Sequence, residues 1–136
     1  MGFLKQYEIL YKKARTDLKV AKNILEDFEN GDNELDLEVI MFHLQQSAEK
    51  LIKALLAYNR LHFTKTHSIA YLLDAVSQNS IEIIENAEKL IPLTEFAVEG
   101  RYAIIHDDLD DVDKYIEMVS ELLGFVGDRL LSLYDI

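Results

Sequence analysis

The sequence predicts an all-α protein: an up-and-down bundle of four long helices plus a short extra helix, in one domain over residues 1–136 and paired as a homodimer. Three observations lead to the helical class; the pairing is expected from the apolar width of the second helix and from a resemblance described below. Apolar residues recur every three or four positions through most of the chain, the period that places them on one helix face. No window alternates apolar and polar residues as a half-buried strand would. There is one proline and no glycine-rich phosphate loop, repeat or low-complexity tract to break the helical pattern.

The first helix is written in Phe3, Tyr7, Leu10, Ala14, Leu18, Ala21, Leu25 and Phe28, which alternate steps of four and three. It stops in "ENGDNELD", where Asn30 and Gly31 tolerate the left-handed backbone that ends helices. Asp32 or Asn33 can cap the second helix, about Glu34 to Arg60. Leu37, Ile40, Met41, Leu44, Ala48, Leu51, Leu55 and Tyr58 form its stripe, and Val39, Phe42, Ile52, Ala54 and Leu56 widen it. An arc that wide needs several neighbours, so this helix is either central in the bundle or at a subunit interface.

In "NRLHFTKTHS", Thr66 is the expected N-cap of a third helix bearing Ile69, Leu72, Leu73 and Val76. "SIEIIENAEKLI" reads as a short helix, and Pro92 suits the first turn of the next, whose buried face is Leu93, Phe96, Ala97, Gly100 and Ile104. The acidic run "DDLDDVD" favours the positive end of the last helix, with Val112, Ile116, Val119, Leu123, Val126 and Leu130 as its core stripe.

Composition narrows function. With no cysteine, thiol nucleophiles and cysteine zinc sites are excluded. Fourteen Lys and Arg against 25 Asp and Glu give a net charge of −11, a field that repels nucleic acid, so any phosphate site has to be local. No stretch approaches the roughly 20 apolar residues of a membrane span, and a cytoplasmic location without a membrane partner is expected. None of the four histidines has a glutamate three residues before it, the pattern of di-iron bundles. No metal or cofactor is expected. The cations Lys12, Lys13, Arg15, Lys19 and Lys22 read as a solvated face of helix one, His43 as a packed or interface histidine, and His67 as a residue hydrogen-bonded near the third helix's cap.

Three blocks are less generic: "FHLQQSAEKLIKALL" at 42–56, "THSIAYLL" at 66–73 and "FAVEGRY" at 96–102. In this order and spacing they resemble the HEPN domain family of bacteria and archaea, over nearly the whole chain. The resemblance implies a helical bundle that dimerises and is often encoded beside a minimal nucleotidyltransferase, the two forming a toxin–antitoxin pair. Many members are metal-independent ribonucleases whose active site is an arginine followed, after four to six residues, by a histidine. Arg101, "YAII", His106 matches with four intervening residues, and Tyr102 beside the arginine is a candidate binding residue.

The residue types suit that chemistry. A histidine base can deprotonate a ribose 2′-hydroxyl while an arginine fork meets two phosphate oxygens. Five residues of continuous helix turn about 500°, leaving the two side chains about 140° apart. Convergence therefore needs a bend near His106 or completion across a dimer axis. Two positions depart from the ribonuclease pattern: Tyr102 stands where active members carry a small polar residue, and Asp108 stands where toxins silenced by nucleotidyl transfer carry a tyrosine. Asp107 and Asp108 also favour protonated His106 and repel phosphate. Two alternatives stand beside catalysis: an ion-pair network joining Arg101 to Glu99 or Asp107, and a non-catalytic HEPN module that binds the nucleotidyltransferase or a nucleotide; RNA or a nucleotide is also an expected partner.

Overall fold

The computed structural model describes residues 5–31, 37–97 and 109–131. They form α1 (Gln6–Glu29), α2 (Leu37–Tyr58), α3 (Ile69–Gln78), a 3-10 helix (Ala87–Phe96) and α4 (Leu109–Leu131). No strand occurs among the described residues. The all-helical expectation holds, with α3 only ten residues long. Phe3, Asp32, Asn33, Gly100 and Ile104, named above as core or cap residues, lie outside the described residues.

α1 buries Tyr7, Ala14, Leu18, Ala21 and Leu25, as its period requires. It ends where Gly31 adopts φ +102°, a left-handed backbone glycine takes without a Cβ clash. α2 packs against α1, α3, α4 and the 3-10 helix. Its surplus apolar width is consumed by these neighbours: Ile52, Ala54 and Leu56 are fully buried within one chain. Of the two readings of that arc, the central helix is the one found. Only Val39 stays exposed and Phe42 half-buried.

α2 and α3 end alike. Arg60 and Ser80 take left-handed φ of 61° and 56°, and the next residue reaches back five positions, Leu61 N–H to the Leu56 carbonyl at 3.0 Å and Ile81 N–H to the Val76 carbonyl at 3.1 Å. This is the Schellman closure, with Leu61 and Ile81 folding back onto the core.

The N-cap of α3 is Ser68, not Thr66. Ser68 Oγ accepts the Tyr71 N–H at 3.1 Å, three residues on, whereas Thr66 Oγ1 accepts the Ser68 N–H at 3.0 Å and shapes the turn before the helix. The short helix expected over 80–91 is also displaced. Left-handed Ser80 and Asn86 (φ 64°) cannot belong to one right-handed helix over 80–91, and residues 81–86 are not helical. A single 3-10 helix instead runs from Ala87 through Pro92, which therefore sits inside an element and does not open one. Pro92 has no N–H to bond residue 88, so the longer α-helical ladder is interrupted there. This helix buries Ala87, Leu90 and Leu93 and is joined to α3 by the Ile69 N–H to Thr94 Oγ1 bond at 3.2 Å.

α4 buries Val112, Val119, Leu122, Val126 and Leu130. Leu122 occupies the centre of its stripe, and the expected Ile116 and Leu123 flank it half-buried. Residues from all five elements join one hydrophobic core. No described helix is long and apolar enough to cross a membrane.

Two glycines of α4 differ in their surroundings. A Cβ on Gly124 would meet nothing within 4 Å, whereas one on Gly127 would lie 2.5 Å from Tyr11 Oη. Gly124→Ala is expected to raise unfolding stability by about 0.5–1 kcal/mol through helix propensity. Gly127→Ala should fall below that gain, since the phenol has to move, and Tyr11→Phe should recover part of the difference. Urea unfolding of Gly124→Ala, Gly127→Ala, Tyr11→Phe and the Tyr11→Phe/Gly127→Ala double variant checks the coupling; additive effects at residues 11 and 127 would contradict it.

Candidate functional site

Arg101, Tyr102 and His106, with Glu99 and Asp107, lie in 98–108, outside the described residues. Their anchors are described. Ala97 is buried at the end of the 3-10 helix, and Val112 is buried in the first turns of α4. Half-buried Tyr115, in the second turn of α4, has its phenol pushed up by burial and further by the carboxylates of Asp111 and Glu95. One acid comes from each side of the 98–108 connection, so its two ends approach the same tyrosine.

The described part of the family-like blocks forms a polar network on α2. Glu49, 5% exposed at its side chain, accepts three hydrogen bonds: Gln45 Nε2 at 3.0 Å, Lys53 Nζ at 2.9 Å and His67 Nδ1 at 2.8 Å. Burial raises its pKa, and the bonds from Gln45, Lys53 and His67, with the Lys53 charge, outweigh burial and hold the carboxyl below its usual range. Gln45 also donates to the His67 carbonyl at 3.3 Å and accepts from Gln46 Nε2 at 2.7 Å. One turn away, Asp17 of α1 receives Lys50 Nζ at 2.6 Å and faces His43 Nδ1 at 3.0 Å. Ser47 Oγ donates to the Ala14 carbonyl at 2.8 Å. Every buried polar side-chain atom among the described residues has a partner.

The "HLQQSAEKLIK" text is thus accounted for largely by structure: it ties α2 to α1 and to the turn before α3. His43 is the packed histidine the sequence suggested, half-buried, edge-on to Phe42 at 5.2 Å and paired with Asp17. His67 exceeds its expected cap role. Its ring is 59% exposed while Nδ1 is held on a buried carboxylate. With its proton on Nδ1, the ring leaves Nε2 toward solvent, the arrangement that orients a histidine base. Sequence reading missed the pair because eighteen residues separate Glu49 from His67. The available signal was the co-occurrence of "AEK" and "THS".

The cations of α1, Lys12, Lys13, Arg15, Lys19 and Lys22, are all exposed. Among the described residues no group of three His, Asp or Glu is placed to hold a metal.

Because the folded-state pKa of Glu49 is depressed, its stabilising contribution is present above the unfolded carboxyl's pKa and is lost as pH falls through the folded value. Glu49→Ala removes the buried acceptor shared by Gln45, Lys53 and His67 and leaves the half-buried Lys53 charge without its carboxylate, so a loss of about 3 kcal/mol is expected near neutral pH. The variant should show a flatter acid limb in chemical unfolding between pH 6 and about pH 3. An acid limb unchanged by the substitution would remove Glu49 as its source.

The HEPN domain model matches residues 7–129. No curated protein and no solved structure matches the chain. That span runs from the first turn of α1 to the last turn of α4 and contains the α2 network as well as Arg101, Tyr102 and His106. Covering nearly the whole chain, the match shows that this protein belongs to the HEPN domain family.

Proposed function

We propose that the chain is a homodimeric, metal-independent endoribonuclease of the toxin type, the HEPN partner of a minimal nucleotidyltransferase. The observation that carries this is the family match across residues 7–129, with an Arg-x4-His pair inside it at Arg101 and His106. In this reading His106 takes the proton of a ribose 2′-hydroxyl and O2′ attacks phosphorus. The P–O5′ bond breaks, the leaving 5′ oxygen gains a proton from solvent, and the strand ends in a 2′,3′-cyclic phosphate. The Arg101 guanidinium holds two phosphate oxygens and offsets charge as the phosphorane forms. Dimerisation would let one subunit complete the other's pair, relieving the opposed directions that a continuous helix imposes.

A second reading has its own support. Tyr102 follows Arg101, and Asp107 and Asp108 directly follow His106, acids that weaken a base and an anion site together. They favour a non-catalytic HEPN module that binds the nucleotidyltransferase or a nucleotide.

Purified protein incubated with RNA in chelator separates the two. Cleavage to 2′,3′-cyclic ends that falls about 10²-fold to 10⁴-fold in His106→Ala and Arg101→Ala is expected. Cleavage equal in wild type and both variants would mark a contaminant, and no cleavage by wild type would leave the binding module. Sedimentation of wild type and His106→Ala at micromolar concentration should give the same dimer; a monomer would remove the shared-site geometry.

A further inference from the structure

Charge is distributed unevenly along this acidic chain. Residues 5–22 hold six of the 14 Lys and Arg and only two acids, one of which, Asp17, is bound to Lys50 and His43. Within that stretch Lys12, Arg15, Lys19 and Lys22 are spaced by three and four residues, which sets all four in one arc of about 80° along α1. α4 carries the opposite pattern: Asp113, Glu117, Glu121 and Asp128, spaced by four and seven, also fall in an arc of about 80°. All eight residues are exposed. Like charges three or four residues apart oppose the helix that bears them, so neither stripe benefits its own element. No ion pair joins any of the eight to another described residue.

The two stripes share a register. The first turns of α1 lie against the last turns of α4: Tyr7 and Tyr11 line a largely apolar cavity of about 160 Å³ with Gly127 and Leu130, and the Tyr11 phenol lies so close over Gly127 that a Cβ there would be 2.5 Å from it. α4 thus runs back along α1. At a rise of about 1.5 Å per residue, setting Tyr11 opposite Gly127 brings Lys12 level with Asp128, Arg15 and Lys19 level with Glu121, and Lys22 level with Glu117, each within about 3 Å along the axes. Opposite charges therefore stand at the same heights on neighbouring helices, and within the subunit they form no ion pairs among the described residues.

We infer that the outer faces of α1 and α4 together dock a second copy of this chain, the cationic stripe of each subunit meeting the acidic stripe of the other. A two-fold axis parallel to the helices leaves every height unchanged and sets α1 of one subunit opposite α4 of its partner, so each matched level occurs twice, as an isologous contact requires. The seam between the helices, with its apolar cavity, then lies inside the interface, and the charges beside it fix partner and register more than affinity. A second copy fits this face better than RNA does. The cationic stripe is about 15 Å long and ends at exposed Glu26, Asp27 and Glu29, so a strand laid along it runs into acids, whereas α4 supplies carboxylates at the helical spacing and height of these cations. The inference rests on the homodimer of the reading above, not on RNA cleavage, and requires neither Arg101 nor His106.

Sedimentation equilibrium of the whole protein tests the interface. The wild-type dimer should weaken at least about tenfold as salt rises from about 50 mM to about 500 mM, since solvent-facing charges are screened. Arg15→Glu/Lys19→Glu and Glu117→Lys/Glu121→Lys should each lower the dimer's affinity by at least about 100-fold. Mixed in equal amounts, the two variants should recover a dimer, because both contacts of the mixed pair again join opposite charges. Misfolded variants cannot produce that recovery. The milder Lys19→Gln and Glu121→Gln should each weaken the dimer about three- to tenfold. A salt-insensitive dimer, charge-reversed variants that dimerise like wild type, or a mixture that stays monomeric would overturn this interface while leaving the homodimer standing; a monomeric wild type would overturn both. RNA binding lost in Arg15→Glu/Lys19→Glu while its dimer is undiminished would assign the stripe to RNA and likewise overturn the inference.

Discussion

Twelve of the 22 residues of α2 are buried, on more than one side of the helix, and this constraint governs the rest of the bundle. A helix enclosed by α1, α3, α4 and the 3-10 helix has to satisfy any polar group it carries inside the protein. It carries several, and Gln45, Ser47 and Glu49 are buried. A buried carboxylate costs several kilocalories of desolvation on the order given by continuum arguments, unless donors replace its water. Glu49 obtains three, one a turn before it, one a turn after it and one from His67. The last matters most for the fold, because it fixes where the chain must turn before α3. With Asp17 bound to His43 and Lys50, polar contacts specify how α1 and the 61–68 connection register on a core that apolar packing alone would leave freer to slide.

Long amphipathic periods are legible because burial repeats along them, and α1 and α4 follow the spacing of their apolar residues closely. Where one-residue chemistry decides, the sequence is ambiguous. Thr66 and Ser68 are equally good cap types, and the choice rests on which hydroxyl stands three residues before a free helical N–H. Arg60 and Ser80 end α2 and α3 without the glycine that advertises such a turn. Ser80 and Asn86 in left-handed backbone divide "SIEIIENAEKLI" into an extended run and the start of a 3-10 helix, although its composition suits a helix throughout. The width of α2 was legible, but whether its neighbours came from the same chain was not, since a stripe records how much is covered and not by whom.

The site divides along the same line. Arg101 and His106 were found through a spacing within a family-like text, a signal that specifies residue types and order but no distance. His67 and Glu49 form a pair that only the fold assembles, since their eighteen-residue separation matches no local helical interval. The polar letters that made "FHLQQSAEKLIKALL" recognisable are mainly those that hold α2 to its neighbours. Family membership is therefore read largely from residues that build the scaffold, while the activity proposed for the chain would rest on a different segment, 98–108.

That division bears on the electrostatics of any phosphate chemistry here. The connection carrying Arg101 and His106 departs from Ala97 and re-enters at α4, with Glu95 and Asp111 both raising the Tyr115 phenol near its two ends. An acid thus stands near each end of that connection, in a chain that is acidic overall. An RNA strand approaching this region meets repulsion at long range and can be held only by cations at contact distance, where a bidentate arginine outweighs a screened background. In the proposed reaction Arg101 would thus serve to hold the substrate as well as to offset charge in the transition state. Its loss would act on binding and on chemistry together, whereas loss of His106 would act mainly on the chemical step.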